Sequence, residues 1–514
     1  MNQAANVAFE EHKQLIQSLT FAGTPLRELV EEIQTVYLAD KRPWIIGFSG
    51  GKDSTAVLSL VYSALLELSP DKRHKHIYVI SSDTLVETPV VVDLIKHVLE
   101  VINEKSERDG LPISAHAVYP KMDQTFWVNL LGRGYPAPKQ TFRWCTERMK
   151  IDPVSDFITD KVANFGEVVV VLGSRRQESA SRAQVIANHK IEGSALSRHT
   201  SLPNAYTYMP IEPWSADEVW EYLMGGPCPW GGDNQTLFEL YKGSNQGECP
   251  LVIDKSTPSC GNSRFGCWTC TVVTEDRALH GLIESGDRWM KPLLDFRNKL
   301  YASNLPENTE KYRNKKRRSG RVTFMRSRSE GGTSLEIKHV RGPYWMKYRQ
   351  EWVKELLEIQ KGLEQDGHPF PLIREEELQA IRQEWLRDPN EPDIVDSMPT
   401  IYREVYGDKI EWAENDAGAF SAPDALLLKE LANKHGISDG LFIKLIEIEL
   451  SMSGLGRRKG IMDKLRSILK QDWDTDEAID YRTEEFNVGM AWQDKSNALQ
   501  DALNAASELQ KTLD

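Results

Sequence analysis

The sequence predicts an α/β protein with a doubly wound, mostly parallel sheet, and three observations support that prediction. The apolar run 44–48 leads into the glycine-rich segment 49–54, which is followed at once by a helical pattern. Short β-rich runs then alternate with helical stretches as far as residue 230. One of these runs, 168–172, is continuously apolar, which is typical of a central strand that is covered on both faces.

Shifts in composition along the chain predict five segments. Short β-rich runs at 44–48, 76–80, 114–118 and 168–172 mark an α/β domain, and apolar residues at three- and four-residue spacing mark a helical C-terminal region. The segments are an N-terminal helical segment at 1–40, the α/β domain at 41–230, an irregular cysteine-rich segment at 231–300, a basic segment at 301–343 and the helical region at 344–514.

Composition limits the classes of function. The 514 residues carry a net charge of −13, so contact with nucleic acid requires a local basic patch. No apolar run approaches the roughly 18 residues of a membrane span, and the N-terminus lacks a signal-peptide pattern, so we expect a cytoplasmic protein without membrane contact. Six cysteines in such a chain favour metal or redox chemistry over disulfides.

The glycine-rich segment predicts an anion site. Gly50 and Gly51 allow close approach of the backbone to an anion at a helix N-terminus, and Lys52 adds positive charge. A Walker A motif is excluded, because its first glycine would fall at Ile46 and its Ser/Thr at Asp53. The segment resembles a nucleotide-binding PP-loop, and the resemblance assigns ATP binding to Ser49, Gly50, Gly51, Lys52, Asp53 and Ser54.

Four further segments lie at or beyond predicted strand ends: 82–88, 143–150, 173–182 and 209–214. With the PP-loop they resemble the adenine nucleotide hydrolase group, which includes phosphoadenylylsulfate reductases and ATP pyrophosphatases. The resemblance implies that Lys52, Asp53, Arg175 and Arg176 act in catalysis and that Asp83, Gly173, Arg175 and Arg182 bind ATP with Mg²⁺. Surface ion pairs are the alternative for the arginines, and a helix N-cap is the alternative for Asp83.

Four cysteines crowd into one irregular stretch and suit a single metal centre: Cys249, Cys260, Cys267 and Cys270. Only one C-x₂-C pair is present, so we favour a [4Fe–4S] cluster over zinc. Cys145 lies among Arg143, Arg148 and Lys150, a setting expected to lower its thiol pKa and to suit a catalytic persulfide, although simple packing beneath the nucleotide stays open. Cys228 is expected to be structural.

With these cysteines, the segments 119–127, 200–204 and 242–273 resemble the DndC family, the sulfurtransferases of the bacterial Dnd system for DNA phosphorothioation. The resemblance implies an iron–sulfur ATP pyrophosphatase that acts on DNA with a cysteine desulfurase and the ATPase and DNA-binding proteins of that system. The basic run 311–318 would then contact DNA, with a solvated loop as the alternative. A tRNA thiolase, a phosphoadenylylsulfate or adenylylsulfate reductase and a non-catalytic scaffold remain the rival functions.

Overall fold

The computed structural model describes residues 16–232, 234–244, 266–328, 335–413, 422–435, 438–451, 460–473 and 478–486, with single residues at 488, 496 and 500. The chain divides into two compact units. The first comprises Met1–Phe126, Ala137–Tyr301 and Gly362–Leu372, and the second comprises Trp127–Pro136, Ala302–Lys361 and Ile373–Asp514.

Two sheets form the β structure of the first unit. A short antiparallel hairpin contains β1 (Thr20–Phe21) and β2 (Thr24–Pro25). The central sheet contains six strands: β3 (Trp44–Gly47), β4 (Ile77–Ser82), β5 (Ile113–Val118), β6 (Val168–Val171), β7 (Leu196–Arg198) and β8 (Ala205–Tyr208). All four strands expected from sequence are present, so the predicted α/β fold class is confirmed.

The strand order of the central sheet is β5-β4-β3-β6-β8-β7. Every neighbouring pair is parallel except β7 and β8, which are antiparallel. The order reverses beside β3, because β4 lies on one side of it and β6 on the other. A doubly wound sheet binds its ligand beyond the carboxyl ends of the strands at such a reversal.

Alternating side chains of the strands fill two apolar cores, one on each face of the sheet. Trp44 and Ile46 belong to one core and Ile45 to the other, and all three are fully buried. The four valines of β6 divide between the same two cores in the same way. Burial on both faces explains why these strands read as unbroken apolar runs in the sequence.

Nine α-helices accompany these strands in the described part of the first unit: α1 (Leu26–Leu38), α2 (Lys52–Leu66), α3 (Pro89–Arg108), α4 (Asp152–Phe165), α5 (Ala180–His189), α6 (Ala216–Met224), α7 (Asn234–Ser244), α8 (Arg277–Ser285) and α9 (Lys291–Ala302). The expectation of an irregular segment from 231 to 300 is wrong for α7, α8 and α9. The many glycines, prolines and cysteines near these stretches obscure their helical spacing in the sequence.

The second unit is mainly helical, as its sequence predicts. A hairpin of β9 (Phe324–Arg328) and β10 (Leu335–His339) follows the short α10 (Thr309–Tyr312). The later helices are α11 (Met346–Gln365), α12 (Glu375–Leu386), α13 (Ser397–Tyr406), α14 (Ala422–His435), α15 (Asp439–Ser451) and α16 (Ile461–Leu469). A further helix expected at 498–513 lies outside the described residues except at residue 500. Across the described ranges, no helix has the length and apolar character that a membrane crossing needs.

Candidate functional site

The PP-loop connects β3 to α2 through a tight glycine turn. Gly50 has a φ of +68°, a conformation that residues with a side chain rarely adopt. Helix α2 begins at Lys52, and the Gly51 carbonyl accepts hydrogen bonds from the Thr55 N–H at 3.0 Å and from the Ser54 hydroxyl at 2.9 Å. The strand, turn and helix therefore present backbone N–H groups at a helix N-terminus, as an anion site requires.

Two buried cations flank this turn, and one carboxylate bridges them. Lys52 is 1% exposed and Arg175 is 2% exposed. The Lys52 Nζ lies 2.7 Å from the Asp53 Oδ2, and the Arg175 Nε lies 2.5 Å from the Asp53 Oδ1. Asp53 thus balances the charge of both cations, and an incoming triphosphate would compete with its carboxylate for them.

The loop after β6 packs directly against the PP-loop. A Cβ atom on Gly173 would lie 2.7 Å from the Asp53 carbonyl carbon, so only glycine fits there. The Arg175 guanidinium also donates to the Trp214 carbonyl at 3.3 Å. The structure therefore brings together the PP-loop, the 173–182 segment and the 209–214 segment, three of the five that the sequence singles out.

The remaining residues expected to bind nucleotide make local polar contacts. Arg176 pairs with Glu212 at 2.5 Å and keeps about half of its side chain exposed, and Arg182 pairs with Glu178. Asp83 accepts the Leu85 N–H at 2.8 Å in a turn after β4. The Arg176 contact matches the surface ion pair expected as the alternative, whereas the Arg182 pair is buried and Asp83 caps no helix, since Thr88 is the N-cap of α3. The roles of the three residues toward ATP stay predictions.

Tyr241 is a PP-loop neighbour that sequence reasoning missed. Its hydroxyl accepts the Lys52 backbone N–H at 3.1 Å and would lie 3.0 Å from a Cβ on Gly51. The tyrosine is on α7, 189 residues further along the chain, and no local motif marks it. It holds one of the backbone donors at the start of α2.

Three cysteines line one cavity of about 400 Å³ in the first unit: Cys145, Cys267 and Cys270. We call it the cysteine cavity. The C-x₂-C turn lies along the segment after β4, because Trp268 N–H donates to the Val86 carbonyl at 3.0 Å and Thr88 donates to the Gly266 carbonyl at 3.0 Å. The segments 82–88 and 143–150 therefore lie beside these cysteines, beyond the carboxyl end of β4, which is the strand next to β3.

Polar groups surround the Cys267 thiol. The Thr84 hydroxyl lies 3.3 Å from its sulfur, and the Glu87 Oε1 lies 3.7 Å away. The Lys150 Nζ lies 3.6 Å from the same Glu87 oxygen. Burial and the Glu87 charge hold the pKa of Cys267 well above its usual range, although Lys150 opposes them. Thr84 and Glu87 belong to the segment 82–88 that the sequence singles out, but the sequence assigned no role to either residue.

The expected low pKa of Cys145 is wrong for this structure. Burial, assisted by Cys270 and opposed by Lys150, raises the pKa of its thiol to about 11. The flanking cations in the sequence suggested a thiolate, but desolvation outweighs them. A persulfide role for Cys145 thus needs a partner that removes the proton or a metal that binds the sulfur.

The donor set of the cysteine cavity suits an iron–sulfur cluster, since thiols are the ligands that such clusters use. Within the described ranges, no three metal-ligating side chains stand close enough together to hold an ion. Cys249 and Cys260 lie outside the described residues, so the predicted four-cysteine set stays a prediction. Cys228 is buried elsewhere and donates to Asn234 Oδ1 at 3.1 Å, in agreement with a structural role.

Several cations of the basic run 311–318, in the second unit, are used internally. Lys315 is 8% exposed and pairs with Asp480 at 2.6 Å, and Arg318 pairs with Glu384 at 2.5 Å. Burial lowers the pKa of Arg313 to about 10. Lys315 and Arg318 are therefore paired within the protein, and DNA contact by the basic run stays a prediction. Lys311, Arg317 and Arg321 are exposed.

Comparison with known proteins agrees with the nucleotide-binding α/β domain that the PP-loop geometry indicates. Residues 43–273 match the phosphoadenosine phosphosulfate reductase domain family. The matched stretch is a little under half of the 514-residue chain. An uncharacterized protein of Methanocaldococcus jannaschii is 28% identical over 204 residues, which are 40% of this chain and 36% of that protein. The match thus spans little more than a third of the relative.

Three solved structures are similar over part of the chain. A Candida glabrata FMN adenylyltransferase is 14% identical over 44% of this chain and 66% of its own, with a TM-score of 0.28. A Candida auris phosphoadenylyl-sulfate reductase is 13% identical over 46% and 92%, with a TM-score of 0.27. A Methanococcus maripaludis U34-tRNA thiolase with its [4Fe–4S] cluster is 12% identical over 55% and 82%, with a TM-score of 0.26.

Proposed function

We propose that the chain is an ATP-dependent sulfurtransferase that replaces a non-bridging oxygen of a DNA phosphate with sulfur. It would receive sulfur from a cysteine desulfurase and work with the ATPase and DNA-binding proteins of the Dnd system. One observation carries the proposal: the thiols of Cys145, Cys267 and Cys270 share a cavity beyond β4, the strand that pairs directly with the PP-loop strand β3. Sulfur and an activated phosphate need such proximity to react.

ATP would supply the activation. A non-bridging oxygen of the DNA phosphate attacks the α-phosphorus of ATP, and pyrophosphate leaves with the electrons of the broken phosphorus–oxygen bond. Lys52 and Arg175 would shift from Asp53 to the leaving pyrophosphate and stabilise its charge. Such fixed cations act at the point where charge develops, and in a dry site they are worth more than in water.

Sulfur would then displace the adenylate. A persulfide on Cys145 attacks the activated DNA phosphorus, and AMP leaves with the original oxygen. A thiol reductant next attacks the Cys145 sulfur, which releases the phosphorothioate and leaves a mixed disulfide on Cys145 that a second thiol reduces. Cys249, Cys260, Cys267 and Cys270 would hold a [4Fe–4S] cluster, and only an iron released by one of these four thiolates would be open to bind sulfide as another source of sulfur.

Sulfur analysis of nucleic acids tests this function. Mass spectrometry of nuclease digests from cells with and without the gene should show phosphorothioate dinucleotides only when the gene is present. A Lys52→Ala strain is the matched control, because it keeps the protein but removes a cation of the PP-loop. Unchanged DNA sulfur together with lost thiolated tRNA nucleosides would instead establish a tRNA thiolase.

A further inference from the structure

A buried arginine in the first unit holds the backbone that follows Cys270. Arg297 lies on α9 and has no exposed surface. Its Nε donates to the Cys270 carbonyl at 2.8 Å, its Nη1 donates to the Thr274 carbonyl at 2.8 Å, and its Nη2 donates to the Val273 carbonyl. One guanidinium thus binds three carbonyls within five residues. We call residues 270–274 the clamped loop.

The clamp fixes the orientation of the Cys270 sulfur. Each peptide group is planar, so a carbonyl held by Arg297 also sets the plane of the next N–H. The Thr271 hydroxyl adds a second anchor, because it donates to the Pro138 carbonyl at 2.6 Å. The Val272 N–H donates to the Cys270 sulfur. The direction in which the thiol leaves the backbone is therefore set by contacts from outside the C-x₂-C turn.

The charge of Arg297 also bears on the cysteine. A guanidinium stays ionised in proteins, and a buried ion is costly unless an opposite charge lies near it. All three loop acceptors are neutral carbonyls. Asp276 is the carboxylate whose charge acts most strongly on Arg297. The buried positive charge lies against the peptide of Cys270, because the Arg297 Nε donates to the carbonyl of that residue.

We propose that Arg297 is a positioning residue for a metal centre in the cysteine cavity: it clamps the loop that carries Cys270 and places a buried positive charge beside that loop. The inference rests on the cluster of the proposed function. Its chemical consequence is a higher reduction potential, because a buried positive charge beside a ligand stabilises the more negative, reduced cluster.

Two substitutions separate the clamp from the charge. Arg297→Lys keeps a positive charge but cannot bind three spread carbonyls, and Arg297→Met removes both functions. Arg288→Met is the matched control, because Arg288 is an exposed arginine of the same unit. Circular dichroism of the metal-free proteins identifies variants that fold. Amide hydrogen exchange of residues 270–276 reports the clamp, and redox titration of anaerobically reconstituted protein, followed by electron paramagnetic resonance, reports the charge.

We expect faster exchange of the clamped loop in both Arg297 variants and a lower reduction potential in Arg297→Met alone, with Arg288→Met equal to the wild type. Unchanged exchange in Arg297→Met, or equal potentials in the wild type and both Arg297 variants, would overturn the proposal. If Arg297→Met does not fold, loop exchange in Arg297→Lys that is as slow as in the wild type overturns the proposed clamp. A wild-type protein that takes up no iron rejects the cluster of the proposed function, and the exchange experiment still tests the clamp.

Discussion

The PP-loop site and the cysteine cavity follow neighbouring strands of one sheet but balance charge in opposite ways. At the PP-loop, Lys52 and Arg175 are buried, and the Asp53 carboxylate pairs with both of them. In the cysteine cavity the thiols of Cys145 and Cys267 are held protonated by burial. On binding a phosphate, the first site would exchange one anion for another, whereas the second would have to lose protons before it bound metal or sulfur.

The two sites should therefore respond differently to their ligands. A cation that is already paired can transfer to phosphate without a change of protonation. A thiol with a high pKa becomes a ligand only when a metal replaces its proton, so loading of the cysteine cavity should release protons. The predictions below test this contrast, beginning with the largest effect.

Lys52→Ala should reduce cleavage of ATP to AMP and pyrophosphate by about 100-fold or more, because it removes a fixed charge from the leaving group. The iron content should be unchanged, since Lys52 belongs to the PP-loop site. Separation of nucleotide products by chromatography measures the first effect. Release of ADP and phosphate as main products by the wild type would contradict the proposed chemistry.

Cys267→Ser and Cys270→Ser should each abolish the brown colour of anaerobically purified protein, which we expect to carry about four irons per chain. Cys249→Ser and Cys260→Ser should do the same. Cys228→Ser is the control, because that thiol is bonded to Asn234 in a different part of the unit. Iron and sulfide analysis gives the result, and zinc as the only metal would refute the cluster.

Cys145→Ser should abolish DNA phosphorothioate while ATP cleavage and cluster content remain, if the persulfide forms on this residue. Mass spectrometry of DNA digests and iron analysis of the same variant provide the two readouts. Normal DNA sulfur in the variant would assign sulfur delivery to the cluster and leave Cys145 a packing role.

The basic segment of the second unit offers another comparison, between cations that form ion pairs within the protein and cations that are exposed. Charge reversal at Lys311, Arg317 and Arg321 should weaken DNA binding and lower the slope of log affinity against log salt by about one per lost phosphate contact. Lys315→Met should instead lower the free energy of unfolding, because it leaves Asp480 without its partner. Fluorescence anisotropy at several salt concentrations measures the slope, and an unchanged slope would place DNA contact elsewhere.

Alkylation of Cys145 in metal-free protein should be slow at neutral pH. A thiol with a pKa of about 11 gains about tenfold in thiolate per pH unit between pH 7 and 9, and its reaction with iodoacetamide should rise in step. Peptide mass spectrometry follows the modified fraction. A plateau near pH 8 would show that the flanking cations outweigh burial after all.

The sequence by itself determined the α/β fold class, the first four parallel strands and the glycine turn of the PP-loop. These features are local, because an apolar run, a pair of glycines and the start of a helix lie within about twenty residues. Each of them follows from the chemistry of its own residues. Most of the C-terminal helices were predictable for the same reason, since three- and four-residue spacing is visible without any partner.

The tertiary structure decided which residues meet and what state they are in. Tyr241 reaches the PP-loop across 189 residues, and Arg297 reaches Cys270 across 27. Burial reversed the expected pKa shift of Cys145, and Lys315 and Arg318 of the basic run form ion pairs with Asp480 and Glu384. Desolvation and pairing depend on neighbours brought together by folding, and the order of residues along a chain does not reveal those neighbours.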